Sequence, residues 1–187
     1  GLKPIIGCDL WVLPLGWQPE SLEEPFRLTA LTMNNEGYQQ LIQLISRGYL
    51  AGHRCGRPCV NQEWLAEYQH GLILLSGGRE GDIGRKLLQH RTDEATQLLE
   101  FYQQHFPERF YLELQRTGRA GENDYLHAAV ELAAATHTPV VATNEVVFLK
   151  AEDFIAHEVR VAVADGYTLD DKRRPQRYSA EQYLKTP

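Results

Sequence analysis

Short apolar runs rich in β-formers alternate along this chain with stretches whose apolar residues recur at helical spacing. That alternation limits the possible folds more than any single motif does. "KPIIGCDLWVL" and "FRLTALTM" read as strands. "NNEGYQQLIQLISRGYL" then sets Tyr38, Leu41, Ile42, Leu44 and Ile45 near helical spacing, behind Asn34 or Asn35 as the cap. "NQEWLAEYQ" repeats this logic, with Asn61 as N-cap and Glu63 in the first turn. "GLILLSGG" is a continuous apolar run between glycines, the pattern of a strand buried on both faces. Helical patterns follow at about Gly81 to Gln89, and at Asp93 to His105 after a Thr92 cap. "RFYLELQ" and "PVVATN" are further strands on either side of the alanine-rich helix "ENDYLHAAVELAAAT". "AEDFIAHEVRVAVADG" reads as a helix closed by a left-handed Gly166, and the polar tail carries one short helical piece near Ser179 to Leu184. Strand and helix in this order predict one α/β domain with a mainly parallel sheet covered by helices.

The bulk properties exclude several classes. The chain has 187 residues, 43% hydrophobic, enough for a sizeable core. It contains no apolar run of about 18 residues that could span a membrane. The opening "GLKPIIGCDLWVLPLG" lacks the charged and apolar regions of a signal peptide, and the cysteines number three, so a reducing cytoplasm is expected. A net charge of −6 gives the surface as a whole no attraction for nucleic acid. The cations cluster locally in "GHRCGRP" and "DDKRRPQR", both of which read as solvated loops.

Three constellations bear on chemistry. "LSGGREGDIG" has the outline of a phosphate-cradling turn, but it lacks the terminal Gly-Lys-Ser/Thr, and Glu80 and Asp82 occupy the field an anion would need. A tight strand-to-helix turn is the simpler reading. His53, Cys55 and Cys59 in "HRCGRPC" offer at most three ligands in one loop, with no second pair downstream, and Cys8 reads as a small core residue. His105 reads as a helix-end residue, while His127 and His157 sit on helices as partly buried histidines. Asp9, Glu113 and Glu145 fall near strand ends. On one rim of a sheet they would either bind a divalent cation or act as acid and base, or else remain solvated loop residues.

Taken in order, "GLKPIIGCDLWV", "LTMNNEGYQQLIQLIS", "GLILLSGGREGDIG", "RFYLELQRTGR", "YLHAAVELA", "PVVATNEVVFL" and "DGYTLDDKRRPQRYSAEQY" resemble the PHP (polymerase and histidinol phosphatase) domain of bacterial replicative DNA polymerase III alpha subunits, in its proteobacterial form. The resemblance covers nearly the whole chain. It implies a distorted (β/α)7 barrel, present here as an incomplete barrel that lacks the first strands. Residues 1–187 would be part of a single PHP domain, with about 167–187 an extension toward the polymerase core. Exposed edges would then make the isolated piece oligomeric or less stable than a complete domain.

The resemblance also implies that active relatives carry a metal cluster at the C-terminal strand ends and hydrolyse phosphoesters, some as a metal-dependent 3′–5′ exonuclease. Carried over residue by residue, the ligand set is poor. The family's glutamate is Asp9, a histidine becomes Arg27, the cysteine of "LSGC" becomes Gly77, and the aspartate and histidine of "ATNDVHYL" become Glu145 and Val147. The resemblance therefore implies vestigial positions at Asp9, Arg27, Gly77, Glu145 and Val147, with no metal or other cofactor and no catalytic residue. The magnesium-dependent polymerase chemistry would belong to the longer parent. The implied role is a platform on which the proofreading exonuclease subunit and the rest of the replicase assemble, without direct nucleic-acid or membrane contact. Trp17, Trp64, Tyr68 and Tyr167 are candidate anchors. The alternative is a residual metal-dependent phosphoesterase or exonuclease using Asp9, Asn144, Glu145 and His157 with zinc or manganese. A third reading is a phosphate-binding α/β protein using the turn from Gly77 to Gly84.

Overall fold

The computed structural model describes residues 1, 3–18, 20, 21, 23–54 and 56–186; Cys55, one of the three loop candidates, lies outside the described residues. Seven strands form one sheet: β1 (Gly7–Leu13), β2 (Phe26–Thr32), β3 (His53–Arg54), β4 (Arg57–Asn61), β5 (Leu72–Leu75), β6 (Phe110–Gln115) and β7 (Val140–Thr143), in the order β3-β4-β1-β2-β5-β6-β7. β1, β4, β5, β6 and β7 share a direction, as a parallel sheet requires. β2 and the two-residue β3 run against them. The sheet is therefore mostly parallel in strand direction, as expected, with β2 and β3 making it mixed. The reason is visible between β1 and β2, where Pro14, Pro19 and Pro25 interrupt a segment with no helical period. Without a crossover helix the chain returns antiparallel, with Asp9 opposite Thr29 and Trp11 opposite Arg27.

Six α-helices are present among the described residues: α1 (Asn35–Ala51), α2 (Gln62–Glu67), α3 (Asp82–Leu88), α4 (Thr92–His105), α5 (Glu122–Thr136) and α6 (Phe154–Asp165). Asn34 caps α1, accepting a hydrogen bond from the Gly37 amide at 2.9 Å. Asn61 precedes α2 without a side-chain cap bond, and α4 begins at Thr92, with Arg91 in the capping position. Gly166 ends α6 in the left-handed region, as its sequence position implies.

Period-2 alternation divides the sheet into two faces. Leu10 and Val12 of β1, Leu28 and Ala30 of β2, Leu72 and Leu74 of β5 and Leu112 of β6 turn to the helices and form the core with Leu44, Leu65, Ile83, Leu99 and Tyr102. The opposite face carries Asp9, Arg27, Thr29, Glu113, Gln115 and Thr143.

Several expectations change here. "GHRCGRP" is not a loop throughout: it supplies β3 and the start of β4, with Gly56 at φ +75°. His53 is exposed and Cys59 is buried in β4. On α1, Leu41 and Leu44 face the core, whereas Tyr38 and Ile42 stand 41% and 39% exposed. His127 is exposed instead of partly buried. The segment from Ser179 to Leu184 is not helical. It forms a turn and a parallel bridge between Tyr183 and Phe148, because the Leu184 amide donates to Phe148 and the Val147 amide to Gln182, displacing local helical bonds. Among the described residues no helix is long and apolar enough to cross a membrane.

Candidate functional site

The polar face of the sheet, the turn after β5 and the segment after β7 enclose a cavity of about 230 Å³. Asp9 and Thr29 enter from the paired β1 and β2, and Glu113, Gln115 and Thr143 from β6 and β7. Gly77, Glu80, Asn144 and Glu145 close its rim. The three strand-end carboxylates read from the sequence, Asp9, Glu113 and Glu145, thus do line one site.

The Arg27 guanidinium, part of the lining, stands among the carboxylates. Arg27 Nη2 donates to Asp9 Oδ2 at 2.8 Å, while Nη1 donates to Glu80 Oε2 and Glu145 Oε1, each at 3.1 Å. Thr29 donates to the second Asp9 oxygen at 2.7 Å. Arg119 binds the outer oxygens of the same acids, Glu80 at 3.3 Å and Glu145 at 3.0 Å. Gln182 reaches back from the tail to Glu145 at 3.3 Å. Burial opposes the charge on Arg27, but its bond to Glu145 and the fields of Asp9 and Glu145 overrule this and hold the guanidinium protonated more firmly than usual.

Glu113 is treated differently. Only 4% of it is exposed, and burial pushes its carboxyl upward despite hydrogen bonds from Thr143 and Gln115; Asp9 adds to the rise. Burial thus pushes one carboxyl of the cavity upward while the other three acids are held beside cations.

The other positions singled out in the sequence are set by the backbone. Gly77 adopts φ +72°, and a Cβ there would lie 2.0 Å from the Arg27 carbonyl oxygen, so no side chain fits without moving the turn. Val147 is outside the cavity lining, and its amide is bound to the Gln182 carbonyl at 2.9 Å. Asn144 lines the rim but donates away from it, to the Tyr183 carbonyl at 2.8 Å. His157 does not join Asp9 and Glu145. It packs against Tyr178 and Phe148, with ring centroids 4.5 and 5.6 Å away, and its Nδ1 meets Arg160 at 3.3 Å.

A metal cluster fits these residues poorly. The carboxylates that would ligate it already hold Arg27, and the positions for thiolate and imidazole are Gly77 and Val147. Among the described residues no group of three His, Cys, Asp or Glu is arranged to hold a metal ion.

Sequence reasoning passed over Arg119 entirely and treated Glu80 only as an obstacle to an anion. Both sit in segments that directly follow strands, β6 and β5. Position after a strand end was the available signal. Of the aromatic candidates, Trp64 is buried in the core, while Trp17, Tyr68 and Tyr167 are half-buried.

The mixed sheet, its polar face and this residue set define a PHP-type α/β domain. The family model for the PHP domain matches residues 1–117, and the chain belongs to that family. Across the full chain it is 51% identical to the DNA polymerase III subunit alpha of Escherichia coli (strain K12) and 51% identical to that of Vibrio cholerae. It is 47% identical to the same subunit of Haemophilus influenzae. The chain spans 16% of the length of these relatives.

Proposed function

We propose that this chain is the PHP portion of a DNA polymerase III alpha subunit and serves chromosomal replication in the bacterial cytoplasm. Its PHP site is catalytically silent and holds no metal. The domain acts as a structural platform for the replicase and as a dock for the proofreading exonuclease subunit. We also read the open seven-stranded sheet as part of a (β/α)7 barrel.

The observation that carries this reading is the position of Arg27, which meets Asp9, Glu80 and Glu145 at once. Its fixed positive charge stands among the acids that a divalent cation would require, and it satisfies them permanently instead of reversibly. The phosphoesterase alternative draws less support, because His157 is engaged elsewhere and Asn144 is turned to the tail.

Elemental analysis of the purified protein after exchange with zinc and manganese tests the silent site. The expected result is no stoichiometric metal and no manganese-dependent nuclease activity; one tightly held ion per chain would overturn it. Titration with the exonuclease subunit tests the dock and should give saturable binding.

A further inference from the structure

Beside this cavity lies a second and larger depression of about 800 Å³, walled by Trp11, Arg57, Arg79, Arg119, Arg177 and Tyr178. In a chain of net charge −6, this concentration of arginines is local and needs a reason. Three of the groove's arginines are occupied: Arg27 and Arg119 by Glu80 and Glu145, and Arg177 by Asp165 at 3.1 Å. Arg57 and Arg79 differ. Neither has a carboxylate within ion-pair distance among the described residues. Arg57 lies over the face of Trp11, 4.6 Å from the ring centroid, and Arg79 donates to the Ala120 carbonyl. Each keeps guanidinium donors free for a ligand.

We propose that this groove binds an acidic peptide segment of a partner protein, with Arg57 and Arg79 taking its carboxylates and Trp11 offering an apolar wall. An extended peptide fits the charge better than a nucleic acid does. Two unengaged cations match a few carboxylates, whereas Glu80 and Glu145 in the floor oppose a continuous phosphate track. Trp and Arg are also the residues that dominate protein–protein contacts. The inference rests on the docking reading only in taking the partner to be a protein.

The test uses the full chain and a capped hexaglutamate peptide, followed by tryptophan fluorescence, with capped hexaglutamine and a single-stranded oligothymidylate of equal charge as controls. Hexaglutamate should bind saturably and lose affinity as salt rises, while hexaglutamine should not bind. The double variant R57E/R79E, checked for native circular dichroism, should weaken hexaglutamate binding about tenfold or more. Absence of saturable hexaglutamate binding by the unmodified chain overturns the proposal without recourse to any variant. Tighter binding of the oligothymidylate overturns it in favour of nucleic acid. Titration of both proteins with the exonuclease subunit separates the two readings: equal binding to each removes this groove from the dock, whereas binding to neither removes the dock and leaves the hexaglutamate result standing.

Discussion

Arg27, near the start of β2, donates to Glu145, 118 residues further along the chain, across 3.1 Å. The bond joins the antiparallel half of the sheet to the segment leaving its last strand. Its partners Asp9 and Glu80 come from β1 and from the turn after β5. One side chain therefore ties the centre of the strand order, β1, β2 and the turn after β5, to its β7 end.

Replacing Arg27 with Gln keeps much of the volume but leaves Asp9 without its cation and Glu80 and Glu145 with Arg119 alone. The half-exposed setting limits the effect to about 1–3 kcal/mol of lost stability. Urea unfolding of the two proteins should show a lower midpoint with an unchanged slope. Arg27→Lys should recover only part of the loss, since a single ammonium cannot reach three carboxylates as a planar fork does. A midpoint unchanged in both variants would show that solvent screens the cluster completely.

Gly77 is expected to tolerate no side chain. Its φ is +72°, and any Cβ at this position would approach the Arg27 carbonyl oxygen to 2.0 Å, so Gly77→Cys must displace the turn. The expected loss is about 2 kcal/mol or more, seen as a lower thermal midpoint in calorimetry. The introduced thiol should therefore fail to create zinc affinity by itself. A stable Cys variant that binds zinc would refute this account of the turn.

How far the sequence reveals this arrangement depends on the range of the interaction involved. Helix α5 could be read to the residue, and Gly166 as the end of α6, because capping and periodicity are local. The direction of β2 was less visible, since it depends on what the prolines between β1 and β2 prevent. Asp9, Glu113 and Glu145 could be named as candidates for one rim, but not told apart from solvated loop residues, and Asp9 and Glu113 lie within β1 and β6 instead of at strand ends. Arg119 could not, because its importance comes from Glu80 and Glu145, which lie 39 and 26 positions away in sequence. His157 is the buried helix residue first expected, and only the alternative that joined it to Asp9 and Glu145 fails, for the same reason. Its helix follows the site strand, yet the contacts that hold the ring come from Phe148 and from Tyr178 in the tail.

Asp82 should impose a pH dependence on folding. Its carboxyl is buried and accepts from Tyr102 at 2.7 Å and from the Ile83 amide at 2.8 Å. Burial outweighs those bonds and pushes its pKa from 3.8 up to about 6. The folded protein therefore binds a proton more tightly than the unfolded chain, and this group's contribution is fully present below about pH 4 and lost as pH rises through 6. Its full size is about 2–3 kcal/mol. Asp82→Asn keeps an oxygen acceptor but no titration. Urea midpoints between pH 4 and pH 8 should accordingly fall less steeply in the variant. Parallel curves would mean that the carboxyl is already satisfied in its charged form.

Glu122, the first residue of α5, is 3% exposed and folds back onto the loop that carries Arg119. Its carboxylate accepts from the Thr117 amide at 2.8 Å, the Gly118 amide at 2.7 Å and the Thr117 hydroxyl at 2.7 Å. The Thr117 hydroxyl in turn accepts from Arg119 Nε at 3.0 Å, so the carboxylate sets the position of the guanidinium that shares Glu80 and Glu145 with Arg27. In Glu122→Gln an amide NH2 must face at least one of these donors, leaving a buried amide without an acceptor at a loss of about 2–3 kcal/mol. Hydrogen exchange should speed up at Thr117 and Gly118 well before the core strands are affected. Exchange that remains slow there, with the protein equally stable, would show that the Ser179 hydroxyl, bonded to the Thr117 carbonyl, is enough to hold the loop.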